Sequence, residues 1–214
     1  MTWLSHSWGL IGDLLMVHLS IVIPPIFIAI LIAVPIGRLA FLYPRAGGPV
    51  LSAATLLYAI PALPILVIIP AIFGTSLRSS ATLIIALTAY GIALLVRSAS
   101  DGFASVDPAV RQAALAIGYS KRQMLWKVDL PLALPVIFSG IRVITVSTVG
   151  LATIGALVGI SSLGTLFTDG FQRNIPAAVI AGLVLTITVA LTLDVIVQAL
   201  GRALTPWTRT ARTS

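Results

Sequence analysis

The chain has no cysteine and few charged residues. None of its 214 residues is Cys, and Asp, Glu, Lys and Arg together make up 9%, against roughly 25% in soluble domains. The missing thiols exclude disulfides, thiolate metal sites and cysteine nucleophiles. Hydrophobic residues account for 58% of the chain, and the mean hydropathy is +1.10. Because too few polar residues remain to cover a soluble fold, the composition predicts a multi-pass membrane protein.

Further absences narrow the class of function. The sequence has no Gly-Lys-Ser or Gly-Lys-Thr phosphate-binding stretch, so the chain is not expected to hydrolyse ATP itself. Its two histidines, His6 and His18, fall outside or at the outer edge of the first apolar run. They are too few for a metal site, and they lie away from the membrane depth that an intramembrane serine protease needs. Residues 1–16 lack the features of a cleaved signal peptide, so the first span is expected to remain in the protein.

Five apolar runs are long enough to cross a membrane, because about 20 helical residues span a bilayer core. They lie approximately at residues 16–37, 50–73, 81–97, 132–158 and 176–199. We therefore expect an all-α transmembrane domain over residues 1–214, with a long polar connection at residues 98–131. The net charge of +7 is assigned to loops that face an anionic lipid leaflet rather than to nucleic-acid binding.

The basic residues are distributed unevenly between alternate loops. One side of the membrane receives two of them, Arg78 and Arg173. The other side receives Arg38, Arg45, Arg97, Arg111, Lys121, Arg122, Lys127, Arg142, Arg202, Arg209 and Arg212. The positive-inside rule makes the second side cytoplasmic, so the N-terminus is predicted outside and the C-terminus inside.

Several residues within the spans are candidates for a transport pathway or gate. Pro61 and Pro64 free backbone carbonyls, which lipid tolerates only beside another helix or a water-filled cavity. With Tyr58 they are expected to line a pathway, and kinks that serve packing alone are the alternative. Gly155 and Gly159 are candidates for a gate or for close helix packing. The outer segment 159–174 is either a short helix that forms an outer gate or a plain loop.

Charged and aromatic side chains are scarce within the spans. Arg142 and Asp194 fall near the inner ends of the fourth and fifth runs and are predicted to form a structural ion pair, with a gating role as the alternative. The aromatic residues considered for a cage around a cationic substrate show no evident cluster in the sequence. They are Tyr58, Tyr90, Phe27, Phe73 and Phe138.

The connection at residues 98–131 has the pattern of a helical hairpin. Asp107-Pro108 is typical of a helix start, and Gly118 of a helix end. Ser120 and Gln123 have the spacing of a capping box that begins a second helix. Pro131 and Pro135 are expected to mark a turn into the fourth span. By periodicity alone, the hairpin is either a basic amphipathic element on anionic lipid or a docking element.

The spacing within this hairpin resembles the EAA loop of permease subunits in ABC importers. The family pattern is Glu-Ala-Ala, three residues, Gly, nine residues, Ile, one residue, Leu-Pro. The matching residues here are Gln112, Ala113, Ala114, Gly118, Val128, Leu130 and Pro131. Gln112 replaces the family's Glu and Val128 its Ile; the loss of the Glu charge weakens any inferred ion pair with an ATPase.

The resemblance extends to the osmoprotectant branch of these importers. Ile60-Pro61-Ala62-Leu63, Leu130 to Pro135 and Ile154 to Gly159 are similar to motifs of permeases for glycine betaine, carnitine and choline. The resemblance implies a coupling helix that docks on a cytoplasmic ATPase dimer. It also implies a second permease subunit, identical or related, and an extracytoplasmic binding protein. It also implies multi-pass insertion in a bacterial plasma membrane, with ATP bound only by the partner and no cofactor or metal in this chain.

Two alternatives remain open. The substrate can be another small solute, such as methionine or a sulfonate, because permeases for these solutes share the fold and the loop. The chain can also be a channel or secondary carrier that works alone. In that case the hairpin would be a lipid-surface anchor and no ATPase would co-purify.

Overall fold

A computed structural model describes residues 7–208, and within that range the regular structure is helical. The α-helices are α1 (Trp8–Leu42), α2 (Pro44–Ala59), α3 (Ala62–Phe73), α4 (Ser80–Ala104), α5 (Pro108–Ala116), α6 (Lys121–Met124), α7 (Leu130–Ala152), α8 (Gly164–Gln172) and α9 (Pro176–Leu204). A π-helical segment (Leu125–Asp129) and 3₁₀ segments (Thr153–Val158, Pro206–Thr208) complete them. Within residues 7–208, four helical stretches are long and apolar enough to cross a membrane, or five if the bent pair α2–α3 counts as one span. The all-α prediction is confirmed.

The first span is longer than predicted. Helix α1 runs through Pro24, Pro25 and Pro35 and past Arg38, so the predicted loop at residues 38–48 is mostly helical. The chain breaks at Tyr43, and Pro44 occupies the first turn of α2, where its missing N–H costs no hydrogen bond. The predicted end of the first span at residue 37 is wrong, because a single charge at the end of an apolar run does not end a helix that neighbouring helices support.

The second predicted span, residues 50–73, is not one continuous helix. Helices α2 and α3 meet at an angle of 111° around Ile60 and Pro61. Ile60 is extended (φ −68°, ψ 128°), as expected for a residue before proline. The Tyr90 hydroxyl of α4 donates a hydrogen bond to the Ile60 carbonyl at 2.6 Å, which satisfies one acceptor that the break releases.

Glycine contacts give the relative directions of the spans. Gly37 of α1 lies against Ala99 of α4, and Gly91 of α4 lies against Ala29 of α1, so these two helices run parallel. Two parallel spans require the chain to return between them, so the bent pair α2–α3 recrosses the membrane. Gly140 of α7 lies against Ser98 and Gly102 of α4 against Ile137, so α4 and α7 run antiparallel. Gly201 of α9 lies against Phe138 of α7, and Asp194 pairs with Arg142, so α9 is also antiparallel to α7. The ends of α1, α4 and α9 therefore share one face with the start of α7.

The fourth span does not begin with the predicted turn at Pro131. Helix α6, the π-helical segment and α7 are continuous, and the helical stretch runs from Lys121 to Val158. The Leu130 N–H donates to the Leu125 carbonyl five residues back. The wider π turn accommodates Pro131 at the first turn of α7, and this local adjustment explains why Pro131 does not end the helix. Pro135 lies one turn further on, inside α7.

The outer segment contains a helix, as one of the two predicted alternatives stated. Gly159 ends the 3₁₀ segment with φ +86°, and α8 follows after a short connection. Gly182 of α9 lies against Leu166 and Phe167 of α8. The rest of the chain buries very little of helix α9, so most of the apolar surface of this helix faces outward.

Candidate functional site

The hairpin between α4 and α7 begins with the predicted helix. Asp107 is the N-cap of α5 and its carboxylate accepts a hydrogen bond from the Ala109 N–H at 2.8 Å. At the other end, the Tyr119 N–H donates to Ala114 and the Gly118 N–H donates to Leu115, both at 3.0 Å. This pair of bonds is the Schellman motif. Gly118 has φ +87°, so the glycine is required by the backbone conformation.

The second helix of the hairpin begins with the predicted capping box. The Ser120 hydroxyl accepts from the Gln123 N–H at 3.3 Å, and the Gln123 amide oxygen accepts from the Ser120 N–H at 2.8 Å. Reciprocal bonds of this kind satisfy two donors at a helix start. Local hydrogen bonds therefore fix the hairpin at the start of α5 and at the turn between α5 and α6, as a rigid docking element requires.

The residues of the EAA-like pattern divide into buried and exposed sets. Ala114 and Val128 are buried against the chain's own core, so they hold the hairpin in place. Leu130 and Pro131 are half-buried at the base of α7. Gln112, Ala113 and Gly118 are exposed, together with the large side chains Ile117 and Trp126. Of the residues in the EAA-like pattern, Gln112, Ala113 and Gly118 are therefore the ones accessible to a partner in this conformation.

A buried ion cluster lies beneath the hairpin. The Asp129 carboxylate, 4% exposed, accepts a hydrogen bond from Arg111 Nε at 2.8 Å on Oδ1 and from Arg38 Nη1 at 3.0 Å on Oδ2. The side chains of Arg38 and Arg111 are only 16% and 20% exposed. One carboxylate thus joins α1, α5 and the end of the π-helical segment.

Ring and carbonyl contacts extend the cluster to α4. The Arg38 guanidinium lies 5.2 Å from the centre of the Phe103 ring, and that of Arg111 lies 4.7 Å from the centre of the Phe41 ring. Arg111 Nη2 also donates a short hydrogen bond to the Phe103 carbonyl. Each arginine is therefore held by the carboxylate and by an aromatic face on another element.

The sequence does not reveal this cluster. Arg38 and Arg111 indicate only the membrane orientation there, and Asp129 has no predicted role. One signal was present: Asp129 is one of six acidic residues in the chain and stands between the apolar residues Val128 and Leu130. An acid at such a position needs a partner, but the sequence does not show which cation supplies it.

Arg142 and Asp194 are brought together between α7 and α9. Arg142 donates from Nε to Oδ1 and from Nη2 to Oδ2, both at 2.7 Å, in a bidentate pair. The side chains are 40% and 18% exposed. A planar fork of two parallel bonds fixes the rotation of one helix against the other.

The pathway candidates occupy separate places. Tyr58, Pro61 and Pro64 are exposed around the break between α2 and α3. Tyr58 also meets Tyr90 edge to face, with ring centres 5.9 Å apart, a pair that the sequence did not reveal. Gly155 lies under Leu83 of α4, and Gly159 has the positive φ already described and lies beside Arg78. The structure therefore does not gather these five residues into one site.

His18 was placed wrongly from the sequence. It lies within α1 rather than at its outer edge and is fully buried, and neither ring nitrogen has a hydrogen-bond partner. His6 lies outside the described residues, as do Arg209 and Arg212. Among the residues described, no group of three or more His, Cys, Asp or Glu is placed to hold a metal ion.

The fold and hairpin define a class: a multi-pass helical membrane protein with a basic hairpin before its fourth crossing. The family profile described as "Binding-protein-dependent transport system inner membrane component" matches residues 13–209, and the chain belongs to this family. It is therefore a permease subunit of the ABC importer type.

Curated relatives cover nearly the whole chain. It is 33% identical over 206 residues to the osmoprotectant import permease protein OsmW of Salmonella typhimurium, covering 95% of this chain and 96% of that one. It is 30% identical to the glycine betaine/carnitine/choline transport system permease protein OpuCD of Bacillus subtilis, with 96% and 89% covered. A carnitine transport permease protein of Listeria monocytogenes is 32% identical, with 85% and 80% covered.

Solved structures show the same fold. A chain in inward-facing conformations of the MetNI methionine ABC transporter superposes with a TM-score of 0.84 at 21% identity, covering 93% of this chain and 98% of that chain. A chain of an amino acid ABC transporter gives a TM-score of 0.72 at 15% identity, with 96% of each covered. At these identities the likeness concerns the fold alone.

Proposed function

We propose that this permease carries an osmoprotectant, a small quaternary amine such as glycine betaine, carnitine or choline. The observation that carries the proposal is the similarity of 30 to 33% over most of the chain to permeases named for these solutes. The methionine transporter is less similar in sequence, at 21%. Residues 1–214 act as one transmembrane domain, and Tyr58, Pro61, Pro64, Gly155 and Gly159 contribute to the pathway or its gates.

ATP hydrolysis belongs to a separate subunit. A cytoplasmic ATPase dimer binds the exposed side of the hairpin, where Gln112, Ala113, Ile117 and Gly118 are accessible. The local caps make the hairpin stiff enough to transmit the closure of the ATPase to the spans. Gln112 supplies no charge, so this contact depends on shape, apolar area and hydrogen bonds rather than on an ion pair at this position.

Two further partners complete the transporter. A second permease subunit, identical or related, provides the other half of the pore, and the outward-facing apolar surface of α9 supports an interface or lipid contact there. An extracytoplasmic binding protein captures the solute. The complex resides in the bacterial plasma membrane, with the hairpin, the end of α1 and the end of α9 on the cytoplasmic side.

Reconstitution tests the function. The chain is co-expressed with its ATPase, purified, placed in vesicles with its binding protein, and supplied in turn with betaine, carnitine, choline and methionine. We expect one or more quaternary amines, and not methionine, to stimulate ATP hydrolysis and to accumulate in the vesicles. Methionine-stimulated uptake would refute the substrate class. A chain that purifies without any ATPase and still transports would refute the importer mechanism.

A further inference from the structure

Attaching the hairpin through the ion cluster around Asp129 carries a large desolvation free energy. Removing a carboxylate and two guanidinium groups from water carries a desolvation penalty that their mutual attraction offsets only with good geometry. Apolar side chains of similar size would attach the hairpin at least as firmly, since buried ion pairs are weak evidence for stability. What charged groups add is directional geometry, because the two arginines each approach a different oxygen of Asp129.

The positions of the partners show what this geometry connects. The hairpin is joined through the chain to α4 and α7, and α1 has no covalent link near it. Arg38 and Phe41 belong to α1, Arg111 to the hairpin and Phe103 to α4. The contacts cross: the hairpin arginine lies over a ring of α1, and the arginine of α1 lies over a ring of α4. The cluster is thus a polar link between the hairpin and the inner end of the first span.

We propose that Asp129, Arg38 and Arg111 form a joint that makes α1 follow the hairpin when the ATPase closes. They are positioning residues for transport, since they act through the helices they connect and not on the solute. Apolar helix surfaces can slide past one another, whereas a buried carboxylate shared by two guanidinium groups cannot separate without leaving unpaired charge. This inference rests on the proposed function, because it requires an ATPase to move the hairpin.

The neighbouring backbone supports such a role. Asp129 is the last residue of the π-helical segment, Leu125–Asp129, which lies between the hairpin and α7. Single π turns of this kind are local irregularities that recur at functional sites. A deformable turn toward α7 combined with a firm ionic link toward α1 would direct hairpin motion to the first span.

A charge-balanced variant tests the joint. Asp129→Asn alone leaves two mostly buried arginines without a counter-ion, so we expect less assembled complex. Asp129→Asn combined with Arg38→Gln removes one charge of each sign, so the cluster keeps its wild-type net charge. Arg111 also keeps its hydrogen bond to the Phe103 carbonyl, so assembly should be restored. In vesicles, this double variant is expected to hydrolyse ATP while solute uptake per ATP falls roughly fivefold or more. Arg45→Gln, which removes an exposed charge at the start of α2, is the matched control and should keep the wild-type ratio.

A distance measurement decides the question even if the double variant assembles poorly. The chain has no cysteine, so spin labels can be attached to Ala109→Cys in α5 and Leu39→Cys in α1, both at exposed positions. A second pair, Ala109→Cys with Leu204→Cys in α9, reports movement of the hairpin. In the otherwise unchanged complex, a non-hydrolysable ATP analogue should alter the second distance and leave the first unchanged.

Three results would overturn the joint. They are a wild-type ratio of uptake to hydrolysis in the assembled double variant, a change in the Ala109 to Leu39 distance on nucleotide binding, and the absence of any hairpin movement. A wild-type complex that takes up none of the tested solutes would refute the proposed substrate instead. The distance measurement needs only the bound ATPase and nucleotide, so the two failures are distinguishable.

Discussion

At the scale of single residues, Gly118 shows how one position can satisfy two different requirements. A partner that docks on the hairpin would need a close approach of the backbone there, which glycine permits. The sequence also predicts Gly118 as a helix end, and the structure agrees, since φ is +87° and a Cβ atom built on Gly118 would meet nothing within 4 Å in the described part of the chain. The free subunit therefore needs glycine for its backbone, and crowding within the chain plays no part.

Two substitutions separate these reasons. Gly118→Ala adds a minimal side chain but is strained at positive φ by about 1–2 kcal/mol, whereas Asn tolerates this conformation better. If glycine is needed for the positive φ, Gly118→Asn should retain more bound ATPase than Gly118→Ala in a co-purification assay. If glycine is needed for the close approach of the partner, Gly118→Asn should retain less, because Asn is larger. Gly118→Trp should lose the bound ATPase in either case, while the subunit still inserts in the membrane.

At the scale of elements, the broken second span was only half predictable. Pro61 in an apolar run indicates a disturbed helix, and the extended conformation of Ile60 follows from the proline ring. The bend of 111° follows from packing against α4, where the Tyr90 hydroxyl donates to the released carbonyl and the Tyr90 ring meets Tyr58 edge to face. The sequence predicted the defect, and the neighbouring helix determined its geometry.

The hydroxyl of Tyr90 should contribute measurably to stability. Tyr90→Phe removes the hydrogen bond to Ile60 and leaves the aromatic ring in place. Hydrogen bonds between membrane helices average about 0.6 kcal/mol, so we expect a loss of about 0.5–1.5 kcal/mol in the free energy of unfolding. Chemical unfolding in detergent measures it. Tyr58→Phe, which removes an exposed hydroxyl from the same ring pair, is the control, and an equal loss there would contradict the assignment.

At the scale of the whole molecule, the directions of the helices agree with the predicted division of the basic residues between the two faces of the membrane. The parallel pair α1 and α4 and the antiparallel α7 place Arg38, Arg111 and Lys127 at one face. Arg78 precedes α4 and Arg173 follows α8, at the opposite face. Which face is cytoplasmic stays a prediction from the positive-inside rule.

Single cysteines test the orientation, because the natural chain offers no competing thiol. Ala116→Cys in the hairpin and Gln172→Cys at the end of α8 are both exposed. A maleimide that does not cross membranes should label the Gln172 variant in intact cells and the Ala116 variant only after permeabilisation. Labelling in the reverse pattern would show that the membrane orientation is inverted.

The features that the sequence determined by itself are mostly local. Apolar runs long enough for a bilayer, the caps of α5 and α6, and the glycine at the helix end each depend on residues within a few positions of one another. The sequence also paired Arg142 with Asp194, 52 residues apart, because each is a rare charge near the inner end of its span. Tertiary structure alone decided the partners of Asp129, which meets Arg38 across 91 residues of sequence and Arg111 across 18, and the contact of Tyr58 with Tyr90. The Asp129 pairs form because a charge removed from water needs an opposite charge nearby, and only the packing of helices decides which one is near enough.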